Sequence, residues 1–105
     1  MHVMKVINFA DTPSLVSRYM LELREVGIQK DPLRFRENLR RIGHAMAYEI
    51  SKHLRYRDTE IQTPLGKCVC QKCDEQLVLA TILRAGMPLH QGFLDCFDRA
   101  ENAFV

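Results

Sequence analysis

Tryptophan is missing from the 105 residues, and aromatic residues make up only 8% of them. The missing tryptophan by itself decides nothing, but beside the basic residues 34–41 only Phe35 and Tyr48 offer aromatic faces, a poor interleaving for single-stranded RNA. An excess of one charge is missing too. Fifteen Lys and Arg against thirteen Asp and Glu leave +2, so bulk charge gives no argument for nucleic acid or a membrane surface. No apolar run approaches the roughly 20 residues that a membrane-spanning helix requires. The opening stretch from Met1 to Asn8 lacks the basic patch and long apolar core of a signal peptide. The expectation is a cytosolic protein, with no membrane and no nucleic acid among its partners, whose four cysteines are thiols. No linker, repeat or low-complexity segment interrupts the chain. What is present is a globular composition, 47% hydrophobic and 27% charged, too rich in apolar residues for a disordered chain. The length allows one domain at most.

Three parts follow one another: a helical part over 1–57, a β-hairpin over 58–76 and a strand-loop-helix unit over 77–105. In the first, Asp11-Thr12-Pro13-Ser14 reads as a helix start with Thr12 as cap and Pro13 as first helical residue. Leu15, Val16, Tyr19, Met20, Leu23 and Val26 recur at helical spacing, and Gly27 reads as the stop. A second start stands at Asp31-Pro32. Leu33 or Phe35, then Leu39, Ile42, Met46, Ile50 and Leu54, mark one face of a long helix. Gly43 inside it costs about 1 kcal/mol relative to alanine, which points to close packing against a neighbour, as do Ala45 and Ala47. In the second part Glu60–Thr63 and Lys67–Cys70 alternate about Pro64-Leu65-Gly66, the pattern of a hairpin, followed by a polar turn over residues 71–75.

The third part bears most directly on function. Leu77 to Leu83 is a continuous apolar run of strand length, as in a parallel sheet covered on both faces. Arg84-Ala85-Gly86 follows, and Pro88 is placed for the first turn of a helix. Asn102 to Val105 reads as the opening of a further strand, which would leave sheet edges open and marks the chain as part of something larger. Loops at the carboxyl ends of parallel strands are the usual ligand sites of open α/β sheets. A helix N-terminus, a glycine that lets backbone amides approach, and an arginine fork together suit phosphate oxygens. Taken alone, so short a motif is more often an ordinary strand-end arginine beside an ordinary turn.

Cys68-x-Cys70-x2-Cys73 places three thiols close together, and His53, His90 or Cys96 would be the fourth ligand of a tetrahedral zinc. A second close Cys/His pair is absent, so the thiols read as free, with no metal assigned. Arg34, Arg36, Arg40 and Arg41 read as a solvated helix face salted with Glu37 and Glu49. His44, His53 and His90 read as surface or packing residues. Glu49 and Asp95 have no acidic partner nearby in sequence.

Ala80-Thr81-Ile82-Leu83-Arg84-Ala85-Gly86-Met87-Pro88 resembles the Ile-Leu-Arg-Ala-Gly segment of uracil phosphoribosyltransferases. Leu33 to Gly43, Ala47-Tyr48-Glu49-Ile50 and Thr63-Pro64-Leu65-Gly66 resemble further segments of that family, in the family's order. The resemblance implies an α/β chain that is the N-terminal part of a type I phosphoribosyltransferase fold: two helices, a hairpin and the first core strand-loop-helix. It implies transfer of a phosphoribosyl group from 5-phosphoribosyl diphosphate (PRPP) to uracil, with Mg²⁺ bound along with PRPP, giving UMP and pyrophosphate in a homo-oligomer, a dimer. Arg84, Ala85 and Gly86 carry over as the diphosphate-binding loop, and no catalytic side chain is assigned. The family's ribose-phosphate loop and uracil-reading hood have no counterpart before Val105, so the chain alone is expected to be inactive. The alternative is a non-catalytic binding or assembly module that keeps a diphosphate-binding loop.

Overall fold

Asp31 starts the longest element. Its Oδ1 accepts from the amides of Leu33 and Arg34 at 3.1 and 3.2 Å, and Pro32 occupies the first turn, where no amide is needed. A computed structural model describes residues 5–105; the first four residues of the stretch read as lacking a signal peptide lie outside the described ones. In chain order a 3-10 turn (Phe9–Asp11) precedes α1 (Leu15–Arg24), the short α2 (Val26–Gln29) and α3 (Pro32–Ser51). The hairpin strands β1 (Tyr56–Thr63) and β2 (Gly66–Cys73) come next, then β3 (Val78–Thr81), α4 (Met87–Cys96) and β4 (Glu101–Phe104). The mixed α/β class and the order helices, hairpin, strand-loop-helix are as expected. No helix among the described residues is long and apolar enough to cross a membrane.

Several boundaries differ from expectation for identifiable reasons. Ser14, not Thr12, caps α1. Its hydroxyl accepts from the Val16 amide at 3.2 Å, while the Ser17 hydroxyl accepts from the Ser14 amide at 3.0 Å. This reciprocal pair satisfies two orphan donors and outweighs the preference for Pro13 at the first helical position. Gly27 does not end α1. The helix stops at Arg24 because Glu25 turns extended and caps α2 instead, its carboxylate accepting from the Gly27 amide. Leu54 lies past the end of α3. Residues 71–73, read as a polar turn, continue β2, since the antiparallel ladder runs from Thr63↔Gly66 to Tyr56↔Cys73. Pro64-Leu65 makes the turn, and Gly66 (φ +132°) is the one described residue with positive φ.

The centre of the chain is the crossing of α3 and α4. Gly43 meets Gly92: a Cβ added to Gly43 would lie 2.8 Å from the Leu89 carbonyl oxygen and 3.0 Å from Gly92 Cα. Ile42, Gly43 and Ala47 are buried, while Leu33 of the expected stripe stands 64% exposed. The inner face of α3 is therefore built largely on small residues, which let two backbones approach.

A polar pin secures the same crossing. Arg40 donates through Nε to Asp95 Oδ2 at 2.6 Å and through Nη2 to Oδ1 at 3.0 Å. His44 Nε2 lies 2.7 Å from Oδ2, and Gln91 donates to Oδ1 at 3.1 Å. Arg40, then His44 and Gln91, hold the Asp95 carboxyl well below the usual carboxylate range. Because the folded value is depressed, the stabilisation is complete above the unfolded value near 3.9 and is lost as pH falls below it. Asp95→Asn is thus expected to lower stability at neutral pH, with the gap to the parent closing in acid. Urea titrations of helical circular dichroism at pH 7 and at a series of falling pH values check this. The gap should begin to narrow below the unfolded value near 3.9 and shrink steadily as the much lower folded value is approached; a gap that does not narrow at all across that series would refute it.

The fold is open. The radius of gyration is 17.1 Å, against about 13 Å for a compact chain of this length. The accessible surface is 8457 Å², against roughly 6,100 Å² for a compact monomer of this mass. Two features account for it. No other described element packs along the hairpin, which touches α3 through the Tyr56 hydroxyl donating to the Ser51 carbonyl at 2.8 Å. The sheet of β3 and β4, a parallel pair with Val78 opposite Glu101, is half-buried only at Leu79 and Thr81, on alternate positions. The expectation of a strand covered on both faces is therefore corrected: α4 packs on β3, but Val78 and Ile82 remain 60% and 72% exposed. The strand is also shorter than expected, ending at Thr81 because the chain turns into the loop at Ile82. Asn102 to Phe104 form part of β4, as expected of the final residues.

Candidate functional site

The loop between β3 and α4 opens at the carboxyl end of β3, as a ligand loop of a parallel sheet should. Its ends are fixed from both sides. The Leu83 amide donates to the Val105 carbonyl at 2.9 Å, and the Val105 amide donates to Thr81 at 3.0 Å. The Gly86 amide donates to Ile82 and the Met87 amide to Arg84, and the His90 amide closes the first helical turn on Gly86 at 2.9 Å. The Leu83–Arg84 peptide is cis. Between these anchors the amides of Arg84 and Ala85 donate to no described backbone carbonyl, and both residues are exposed. The Arg84 guanidinium makes no ion pair with a described residue. Gly86, at the N-cap of α4, offers no side-chain cap. The loop thus presents one cationic fork, two free amides and a helix N-terminus to solvent, a set suited to a polyanion such as diphosphate.

Gly86 serves the loop differently than expected. Its backbone is ordinary right-handed helical (φ −76°, ψ −10°), open to any residue. Space is what demands glycine: an added Cβ would run into the Thr81 hydroxyl and lie 3.0 Å from the Ile82 carbonyl oxygen. Thr81, at the end of β3, therefore backs the loop. Behind it the buried His90 places Nε2 2.7 Å from Asn102 Oδ1 and its ring 5.2 Å from that of Phe104. His90 is a packing residue that ties α4 to β4.

The remaining sequence candidates fall elsewhere. Of the basic stretch on α3, Arg34 pairs with Glu22 at 2.8 Å and Arg40 with Asp95. Arg41 donates to Asn38 and stands 5.8 Å over the Tyr19 ring. Three of the four thus find partners within the molecule, while Arg34 and Arg36 remain exposed and the Arg40 side chain half-exposed, so the face is solvated as expected but more tied down than its sequence suggests. Cys68, Cys70, Cys73 and Cys96 are free and exposed. Cys68 and Cys70 lie on one face of β2 with Sγ atoms 3.6 Å apart, and their hydrogen bond pushes the Cys68 thiol up. Cys73, across from Tyr56, is on the other face. Among the described residues no three His, Cys, Asp or Glu side chains converge on a metal position.

The sequence profile described as uracil phosphoribosyltransferase matches residues 11–105. The chain belongs to the uracil phosphoribosyltransferase family. A uracil phosphoribosyltransferase of Porphyromonas gingivalis is 51% identical over 102 residues, which cover 97% of this chain and 47% of that protein. One from Methanococcus maripaludis is 36% identical, covering 95% of this chain and 43% of its own length. The AQ2163 protein of Aquifex aeolicus superposes with a TM-score of 0.75 at 24% identity, covering 89% of this chain and 44% of its own, a likeness of fold. The chain thus spans about half the length of the uracil phosphoribosyltransferases it matches and holds the N-terminal portion of the phosphoribosyltransferase fold.

Asp95 and Thr81 were missed as organising residues. Arg40 and His44, one turn apart on α3, were a signal that a carboxylate would face them. Nothing adjacent to Thr81 announced that its hydroxyl fills the space beside Gly86.

Proposed function

We propose that this chain supplies the diphosphate-binding portion of an enzyme that transfers the phosphoribosyl group of PRPP to uracil, giving UMP and pyrophosphate. The carrying observation is the Arg84-Ala85-Gly86 loop at the end of a parallel strand, whose guanidinium and amides have no partner among the described residues, in a chain of this family. Breaking the bond to the diphosphate leaves positive charge on the ribose and negative charge on the departing pyrophosphate. Donors fixed where that negative charge grows favour the transition state over the ground state. Arg84 and the amides of Arg84 and Ala85 do so here, and Gly86 keeps them against β3. No nucleophilic side chain is needed.

The residues present do not make a Mg²⁺ site. The loop carries a cation and no carboxylate, and no described cluster of three ligating groups exists. Mg²⁺ belongs to this reading only as the counter-ion of PRPP, and no step is derived through it. Cytoplasmic residence, pyrimidine salvage and assembly as a homodimer belong to the same reading.

The test is UMP formation from labelled uracil and PRPP by the natural gene product that carries these residues, beside equilibrium binding of PRPP to the 105-residue chain. Turnover by the gene product, with PRPP binding but no turnover by the 105 residues, is the expected result. One other reading is a non-catalytic module that keeps the diphosphate loop. Binding without turnover in the natural product would establish it. Absence of both would overturn the two readings together.

A further inference from the structure

The pair of thiols on β2 lies apart from the phosphoribosyl loop and has chemistry of its own. We propose that Cys68 and Cys70 form a bidentate dithiolate site for a thiophilic d¹⁰ cation such as Zn²⁺ or Cd²⁺. Their positions two apart on an extended strand put both side chains on one face, and the two Sγ atoms already stand 3.6 Å apart. Two thiolates held at about 2.3 Å from a tetrahedral ion are separated by roughly 3.8 Å, so the pair is set close to the bite of such an ion.

A disulfide fits the same pair poorly. Two residues along a strand advance about 6.6 Å, whereas bridged cysteines need Cβ atoms only about 3.5–4.5 Å apart. Forming the S–S bond would draw the two side chains together, whereas chelation leaves the Sγ atoms near their present separation.

The proton on the pair has to be displaced: the hydrogen bond to Cys70, and then desolvation, push the Cys68 thiol up, so the ion must supply the driving force for deprotonation. Thr59 and Ile61 lie opposite Cys70 and Cys68 in the ladder, and the next pair on that face is Arg57 with Lys72. Arg57 is paired with the Asp74 carboxylate at 3.6 Å, which leaves Lys72 as the cation on that face with no ion pair to a described residue. The Thr59 hydroxyl is buried without a hydrogen-bond partner and stands at the position to donate to a Cys70 thiolate. Binding replaces two S–H bonds by two metal–sulfur bonds and releases two protons to solvent; the ion's other positions remain with water. Cys73 faces away, so the site has two protein ligands.

The experiment is a Cd²⁺ titration, under inert gas, of the 105-residue chain reduced with a phosphine that is then removed. It is read by thiolate-to-cadmium charge-transfer absorption and by counting thiols that react with an aromatic disulfide. One ion per chain is expected, with reactive thiols falling from the four free cysteines to the two outside the site. Cys68→Ser and Cys70→Ser should each lose the band, while Cys73→Ser and Cys96→Ser keep it. All four positions are exposed, and far-ultraviolet circular dichroism checks each variant's fold. No band in the parent, a band that survives Cys68→Ser or Cys70→Ser, or one lost in Cys73→Ser would overturn the site. So would a chain isolated without reductant in which peptide mapping finds Cys68 bonded to Cys70, which would mark a disulfide in place of chelation.

Discussion

Gly92→Val is expected to drive α3 and α4 apart, with a loss of stability at or above the upper end of the roughly 1–3 kcal/mol that overpacking usually costs. The added Cβ would run into the Arg40 carbonyl oxygen and sit 3.0 Å from Gly43 Cα. Both obstacles are backbone, which cannot rotate aside as a side chain can. Helix propensity acts in the opposite direction, since replacing a helical glycine by alanine gains up to about 1 kcal/mol. Even Gly92→Ala should therefore destabilise, because the same Cβ meets the same carbonyl. Gly27→Ala supplies the contrast. There the Cβ would meet only Glu25 Oε1 at 3.8 Å, so the change should be neutral or stabilising. Urea titrations of helical circular dichroism on the three variants separate steric cost from the generic effect of losing a glycine. A Gly92→Ala chain as stable as the parent would refute the crossing as described. Separation there also breaks the link between Arg40 and Asp95, so the pin cannot compensate.

Gly43 shows what the sequence can and cannot disclose. A glycine inside an otherwise strong helix costs stability, so a close neighbour is the economical reason for it, and that much is readable locally. The neighbour is not, because Gly92 belongs to a later helix and only the tertiary path brings the two together. The same division runs through the molecule. Asp31-Pro32 is a strong local signal with no competitor, and α3 begins there. At α1 two hydroxyl residues compete, and the choice falls to Ser14 because Ser17 completes a reciprocal cap. β2 runs on through polar residues because its ladder with β1 is satisfied whatever the side chains, so a polar run cannot mark its end. β3 misleads for another reason: its apolar run reports a layer packed on each face, and this chain provides one. The site is the most legible part because its pieces are contiguous. Arg84, Ala85 and Gly86 share one loop, whereas the role of Thr81 depends on a return of the chain against itself.

Arg84→Ala, made in the natural gene product, is expected to raise the KM for PRPP by roughly 10- to 150-fold while leaving that for uracil near its original value. The range follows from the ~1.5–3 kcal/mol lost with a hydrogen bond to a charged group. The fall in kcat/KM should be larger still. Negative charge on the leaving diphosphate grows on the way to the transition state, so a donor fixed beside it contributes more there than in the ground state; removal of one such donor typically lowers kcat by about 10²–10³-fold. Arg84→Lys should recover only part of this, since an ammonium restores charge but not a planar fork with two parallel donors. Because Arg84 is exposed and makes no ion pair with a described residue, its loss should leave the fold intact, and circular dichroism can check that directly. A folded Arg84→Ala protein with unchanged PRPP affinity would remove this arginine from the site. The amides of Arg84 and Ala85 would then be left as the loop's anion donors. Such a result would place the reading's weight on backbone geometry, which Gly86 and Thr81 control, and Gly86→Ala would become the deciding variant.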